Sequence, residues 1–165
     1  VDMGTKLMAG FPNEKITEGL DGLRERLSEY KKLGARFAKW RAVIKIGEGI
    51  PTDTCIKANV QSLARYAALC QEVDIVPIVE PEVLMDGNHS LERCYEVTEK
   101  VLKMLFYELY QFNIDLEGMI LKPNMVIAGK GFPVQNSIEE VAEATVNCLR
   151  SSVPASVPAI SFLSG

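Results

Sequence analysis

Four short apolar runs in this chain each end on a polar residue, at nearly constant spacing. Lys39 lies in Phe37-Ala38-Lys39-Trp40-Arg41-Ala42-Val43-Ile44-Lys45-Ile46, and Glu80 in Ile75-Val76-Pro77-Ile78-Val79-Glu80-Pro81-Glu82-Val83. Lys122 follows Met119-Ile120-Leu121, and Ser164 follows Ala159-Ile160-Ser161-Phe162-Leu163. From Lys39 to Glu80 is 41 residues, from Glu80 to Lys122 is 42, and from Lys122 to Ser164 is 42. Helical apolar periodicity fills the intervals. Strands that recur this way, with a helix between each pair, are parallel, because a parallel pair needs a crossover of a dozen or more residues. Equal units that each bring a polar group to the strand end favour a closed barrel over an open sheet, whose crevice draws on fewer strands. Four strands cannot close an eight-stranded barrel of roughly 250 residues. The expected fold class is therefore α/β, a partial TIM (β/α)8 barrel, with residues 1–165 as a single incomplete domain. The sequence lacks an initiator methionine and stops at a strand end, so it reads as an internal piece of a longer chain.

Taken in order, residues 1 to 16 read as loop, interrupted by Gly4, Gly10, Pro12 and Asn13. Leu20, Leu23, Leu27, Tyr30 and Leu33 predict an amphipathic helix over Thr17 to Leu33, closed by Gly34. In the next strand Lys39, Arg41 and Lys45 share one face; alone, that alternation would suit a half-solvated antiparallel strand. Thr52 or Asp53 can cap a helix that runs to about Glu72. Glu80 and Glu82 point to one face because the side-chain period is two, and Pro81 between them predicts that the ladder ends there. A third helix follows Ser90 and ends near Asn113. Pro123 holds Lys122 extended and stops its strand. Ser137-Ile138-Glu139-Glu140 is a capping box that opens a helix to about Arg150.

Composition narrows the function classes. A net charge of −4 gives no sign of nucleic acid or an anionic membrane as partner. No apolar run approaches the roughly 20 residues of a membrane span. Val1-Asp2-Met3-Gly4 has no signal-peptide character. Cys55, Cys70, Cys94 and Cys148 fall apart from one another in predicted helices, which suits reduced packing residues of a cytoplasmic protein. His89 is the one histidine, so no multi-histidine metal site is expected. It sits in the turn sequence Asp86-Gly87-Asn88-His89-Ser90 and is expected to be a solvated loop residue.

Side by side, the strand ends bring together Lys39 and Arg41, then Glu80 and Glu82, then Lys122, then Ser164. Three cations and two carboxylates on one rim are hard to explain as packing, since a buried charge is costly unless paired or used. An amine is nucleophilic only when neutral, and a nearby cation such as Lys39 together with desolvation favours that form. A neutral lysine can attack a ketone and lose water to give an imine, which when protonated accepts electrons from a breaking carbon–carbon bond. Glu80 can move the protons and Glu82 can pair with a cation. Arg41 and the Ser164-Gly165 backbone suit a phosphate.

These motifs carry a resemblance. Phe37-Ala38-Lys39-Trp40-Arg41 through Lys45-Ile46-Gly47-Glu48, Val76 to Glu82, Leu121-Lys122-Pro123-Asn124-Met125-Val126 and Phe162-Leu163-Ser164-Gly165 are similar to the strand motifs of class I fructose-1,6-bisphosphate aldolases. Thr17 to Leu23 and Ala64-Arg65-Tyr66-Ala67 fit as well. The resemblance implies strands four to seven of the barrel, with Val1-Asp2 near the end of strand three. It implies Lys122 as the Schiff-base lysine and Glu80 as the general acid/base. It also implies Glu82, Lys39 and Arg41 in supporting positions and Ser164-Gly165 at the start of a phosphate loop. Met3 and Ile127 to Pro133 depart from the family's usual sequence. The implied activity is reversible, metal-free and cofactor-free cleavage of fructose 1,6-bisphosphate into dihydroxyacetone phosphate and glyceraldehyde 3-phosphate, by a parent homotetramer. The alternative is a catalytically silent scaffold or protein-binding module that keeps the lysine. The piece alone, with two open sheet edges, is expected to be inactive and prone to aggregate.

Overall fold

The computed structural model describes residues 1–163; Ser164 and Gly165 lie outside the described residues. Its centre is a four-stranded sheet in the order β3 (Phe37–Ile44), β4 (Val76–Val83), β5 (Ile120–Leu121), β6 (Ala159–Ile160), with every pairing parallel. The crossovers carry α2 (Asp53–Glu72), α3 (Leu91–Gln111) and α4 (Ile138–Ser152). The α/β reading and the partial barrel are therefore present, in the expected strand order. The half-solvated antiparallel alternative for β3 is not: β3 pairs with β4 in parallel along its whole length.

Each of these three crossover helices starts where a short polar side chain can take a free N–H. The Thr52 hydroxyl accepts from the Cys55 N–H at 3.1 Å and opens α2. The Ser90 hydroxyl accepts from Arg93, and α4 opens on the full capping box between Ser137 and Glu140. One face of the sheet then packs on the helices. Ala38, Trp40, Ala42 and Val79 are buried there with Ile56, Leu63, Leu105 and Leu109. The Trp40 and Tyr66 rings lie 5.6 Å apart, and the Tyr66 hydroxyl donates to the Ala38 and Ile78 carbonyls, tying α2 to both strands. All four cysteines are free and buried in α2, α3 and α4; burial pushes the Cys55 and Cys70 thiols up to about 12.

The first 22 residues differ from the expected loop and helix. β1 (Thr5–Leu7) and β2 (Lys15–Thr17) form an antiparallel hairpin, and α1 begins only at Leu23 and runs to Lys32. Tertiary contacts override the helical period here. The Thr17 hydroxyl donates to the Arg41 carbonyl at 2.8 Å, and the Thr17 N–H donates to the Asn59 side chain. Glu14, 3% exposed, accepts from both the N–H and the hydroxyl of Thr52 at the start of α2. Gly19 sits at φ +128°, where a Cβ would lie 2.8 Å from the Met3 N, so the helix cannot extend back through it.

His89 is a second correction: it is 6% exposed. Its turn is covered by residues far along the chain. Gly129 N–H donates to the His89 carbonyl at 2.8 Å, Lys130 N–H to Met85 and Gly131 N–H to Gly87. Neither ring nitrogen reaches a partner in good hydrogen-bond geometry. Burial, followed by the Arg93 charge, lowers the His89 pKa below its ordinary value, against a smaller opposing contribution from the Ile127 backbone. The unfolded chain therefore takes up this proton before the folded one does. The stability is full above about 6.5 and is lost as pH falls through that value towards the folded one. Between about pH 7.5 and about pH 5.5, the parent protein should lose more melting temperature than His89→Gln. Equal losses in the two proteins would contradict the burial argument.

The same crossing of loops dictates Gly129. A Cβ there would lie 2.7 Å from the Gly87 carbonyl carbon and 3.1 Å from His89 Cε1, with the Gly87 oxygen nearer still. Gly129→Ala should destabilise by about 1–3 kcal/mol, as overpacking does, and open the 126–133 loop to proteolysis. A melt unchanged within about 1 °C would show that the two loops separate easily.

Candidate active site

On the face of the sheet away from the helices, the register lines up the charged residues. Arg41 stands opposite Glu80, and Val43 opposite Glu82, in the β3–β4 ladder. Ile78 pairs with Ile120 and Val79 with Leu121, so Lys122 follows β5 at the level of Glu80. The Lys122 N–H completes that alignment by donating to the Val79 carbonyl at 2.8 Å. Side-chain alternation then turns Lys39, Arg41, Glu80, Glu82 and Lys122 to one face.

Glu80 is the centre of the cluster. Its side chain is 4% exposed, and its two oxygens are divided between two amines. Lys39 Nζ donates to Oε2 at 2.7 Å, and Lys122 Nζ donates to Oε1. Lys39 thus reaches Lys122 through a shared carboxylate. Lys122, level with Glu80, is 15% exposed; Lys39, level with Ile78 and Ile120 and so near the start of β3 rather than at its end, is 43% exposed. Arg41 Nε donates to Glu82 and lies 3.9 Å from Glu80 Oε1. The Glu82 bond raises the Arg41 pKa further above its already high ordinary value, so its guanidinium is a fixed positive charge.

The sheet edge beside Arg41 is held from the backbone. Its N–H donates to Asp2 Oδ2 at 3.2 Å, and its carbonyl accepts from Thr17. Val1 and Asp2, which the resemblance puts near the end of a preceding strand, belong to no strand here but lie against this edge.

Five of the seven residues singled out from the sequence, Lys39, Arg41, Glu80, Glu82 and Lys122, come together. The other two, Ser164 and Gly165, lie outside the described residues. Lys45 is exposed and makes no part of the cluster. The Pro81 expectation needs correction. The β3–β4 ladder continues past Pro81 to Ile44 opposite Val83, and only the β4–β5 ladder stops short, at Val79 opposite Leu121. In a parallel ladder, alternate residues bond to alternate neighbours. Pro81 shares the parity of Val79, which bonds to Lys122, so its missing N–H faces β5 and leaves the β3 side intact.

Two side chains next to the site, Asn124 and Thr98, have no role assigned from the sequence. Asn124 Oδ1 accepts from the Val83 N–H at 3.0 Å, and Asn124 Nδ2 donates to Thr98 Oγ1 at 3.0 Å. Among the described residues, no group of three or more His, Cys, Asp or Glu side chains is placed to hold a metal ion.

The family model "Glycolytic: Fructose-bisphosphate aldolase class-I" matches residues 1–165. A probable fructose-bisphosphate aldolase class 1 of Xanthomonas campestris pv. campestris is 66% identical over 165 residues, which is 100% of this chain and 49% of that protein. Human fructose-bisphosphate aldolase C is 53% identical over 165 residues, 100% of this chain and 45% of that protein. A solved structure of fructose-bisphosphate aldolase from Plasmodium falciparum, in complex with TRAP and a small-molecule inhibitor, superposes with a TM-score of 0.97. It is 49% identical and covers 100% of this chain and 48% of its own. The chain spans about half the length of the relatives it matches.

Proposed function

We propose, from the premise that this chain belongs to the class I fructose-bisphosphate aldolase family, that it is part of an enzyme that cleaves fructose 1,6-bisphosphate through an imine on Lys122. The observation that carries the reading is the Glu80 carboxylate of β4 shared between Lys39 of β3 on one side and Lys122 after β5 on the other. The carboxyl ends of barrel strands are where such folds place their chemistry.

The geometry supports a definite division of labour. Lys122 Nζ gives a proton to Glu80 and attacks the substrate ketone carbon, forming a carbinolamine. Glu80, in contact with Lys122 Nζ, donates the proton with which the hydroxyl leaves as water. The resulting iminium accepts the electron pair of the breaking carbon–carbon bond, and a carboxylate takes the proton of the alcohol that becomes the aldehyde. Protonation of the enamine and hydrolysis return Lys122 and release dihydroxyacetone phosphate. Lys39, on the second oxygen of Glu80, fixes that carboxylate and adds positive charge. Arg41, held by Glu82, together with the Ser164-Gly165 backbone, receives a phosphate. Three cations against two carboxylates leave this face with a positive balance that suits a sugar phosphate.

In this reading the described residues are one incomplete barrel domain of a cytoplasmic homotetramer, and the piece alone is inactive. Turnover by the full-length protein tests the function. Release of dihydroxyacetone phosphate and glyceraldehyde 3-phosphate from fructose 1,6-bisphosphate is the expected result. A folded full-length protein without turnover overturns it in favour of a silent scaffold.

A further inference from the structure

The backbone ladder that should fix Lys122 against Glu80 fails at the next rung. The Lys122 N–H donates to the Val79 carbonyl, and in a parallel ladder the next donor to the Lys122 carbonyl is the N–H of residue 81. Residue 81 is a proline and has none. Residue 123 is also a proline, so the stretch after Lys122 cannot recover by pairing on its other side. A continuing ladder would send the Val83 N–H to the backbone carbonyl of residue 124. That N–H goes to the Asn124 side chain instead, at 3.0 Å from Oδ1.

The rest of the carboxamide is also engaged. Nδ2 donates to the Met125 carbonyl and to Thr98 Oγ1, each at 3.0 Å. Thr98 lies in α3 and is 1% exposed. One amide group thus bridges the end of β4, the turn after Lys122 and the helix behind them. Its flat shape and separate donor and acceptor sides suit that three-way contact.

We infer that Asn124, oriented by Thr98, is the positioning residue that holds Lys122 in register with Glu80 where two prolines have removed the backbone ladder. The inference rests on the reading of Lys122 as the imine-forming amine. A displacement of about 1 Å at a reacting group can cost about 100-fold in rate, so a loosened Lys122 should show in the step that forms the imine.

The test uses the full-length protein and three variants, Asn124→Ala, Thr98→Val and Thr98→Ser. The readouts are the rate at which borohydride traps dihydroxyacetone phosphate on Lys122, kcat and KM for fructose 1,6-bisphosphate, and the thermal melt. Thr98→Val keeps shape and removes the acceptor; Thr98→Ser keeps the acceptor. Thr98→Val should lower the trapping rate and kcat by about 10-fold, with KM changed by less than about threefold. Thr98→Ser should come within about twofold of the parent protein, and Asn124→Ala should fall by about 10- to 100-fold. Should Asn124→Ala fail to fold, the Thr98 pair decides alone. Normal trapping in Thr98→Val, or equal losses in Thr98→Val and Thr98→Ser, overturns the positioning role. A parent protein that forms no adduct on Lys122 overturns the functional reading, and this inference with it.

Discussion

Lys122→Met in the full-length protein is expected to lower cleavage of fructose 1,6-bisphosphate by at least about 10⁴-fold, because no other group on this face can form an imine at the same place. Lys39 is the other amine, but it stands two residues nearer the amino end of the sheet, level with Ile120, and holds the far oxygen of Glu80. Methionine preserves the stem of the side chain, so packing around Leu121 and Ile120 changes little. Glu80 keeps Lys39 as its counter-charge, and the protein should fold with a melt within about 5 °C of the parent. A loss of activity smaller than tenfold, in a folded variant, would mean that the amine of Lys122 is not the nucleophile.

The second large effect belongs to Glu80→Gln. Proton transfer by a positioned side chain is typically worth about 10²- to 10⁴-fold, and that range is expected here in kcat. The variant should also lose stability. Glu80 is buried and holds both Lys39 and Lys122, so the amide leaves two ammonium groups facing each other without their shared anion. Stripping one partner from a fully buried pair costs about 3–5 kcal/mol. Lys39 can turn to water from its 43% exposed position, which places the expected cost below that range. The imine should still form on Lys122, only more slowly. Full activity in Glu80→Gln would remove the carboxylate from the proton-transfer steps.

These effects follow from features that the sequence exposes unevenly. The βα spacing and strand-end charges were legible because barrel units repeat and side chains alternate. Lys39, Arg41, Glu80, Glu82 and Lys122 therefore came together as expected. The hairpin of β1 and β2 was not legible. Its three-residue strands carry no period, and Thr17 and Glu14 are fixed by partners in β3 and at the start of α2. The burial of His89 is hidden for a similar reason: a turn sequence says nothing of a loop some forty residues later that folds over it. Pro81 alone suggests a stop for the whole ladder, but proline removes a bond on only one side of a strand. Asn124 stood beside Lys122 in the most informative motif of the chain, and its role became visible only with Val83 and Thr98 in place.

The most direct measurement is borohydride reduction of the full-length protein with dihydroxyacetone phosphate, followed by mass spectrometry of its peptides. A single reduced adduct on Lys122, abolished in Lys122→Met, is the predicted result. An adduct on another lysine, or none in a folded protein, would contradict the account.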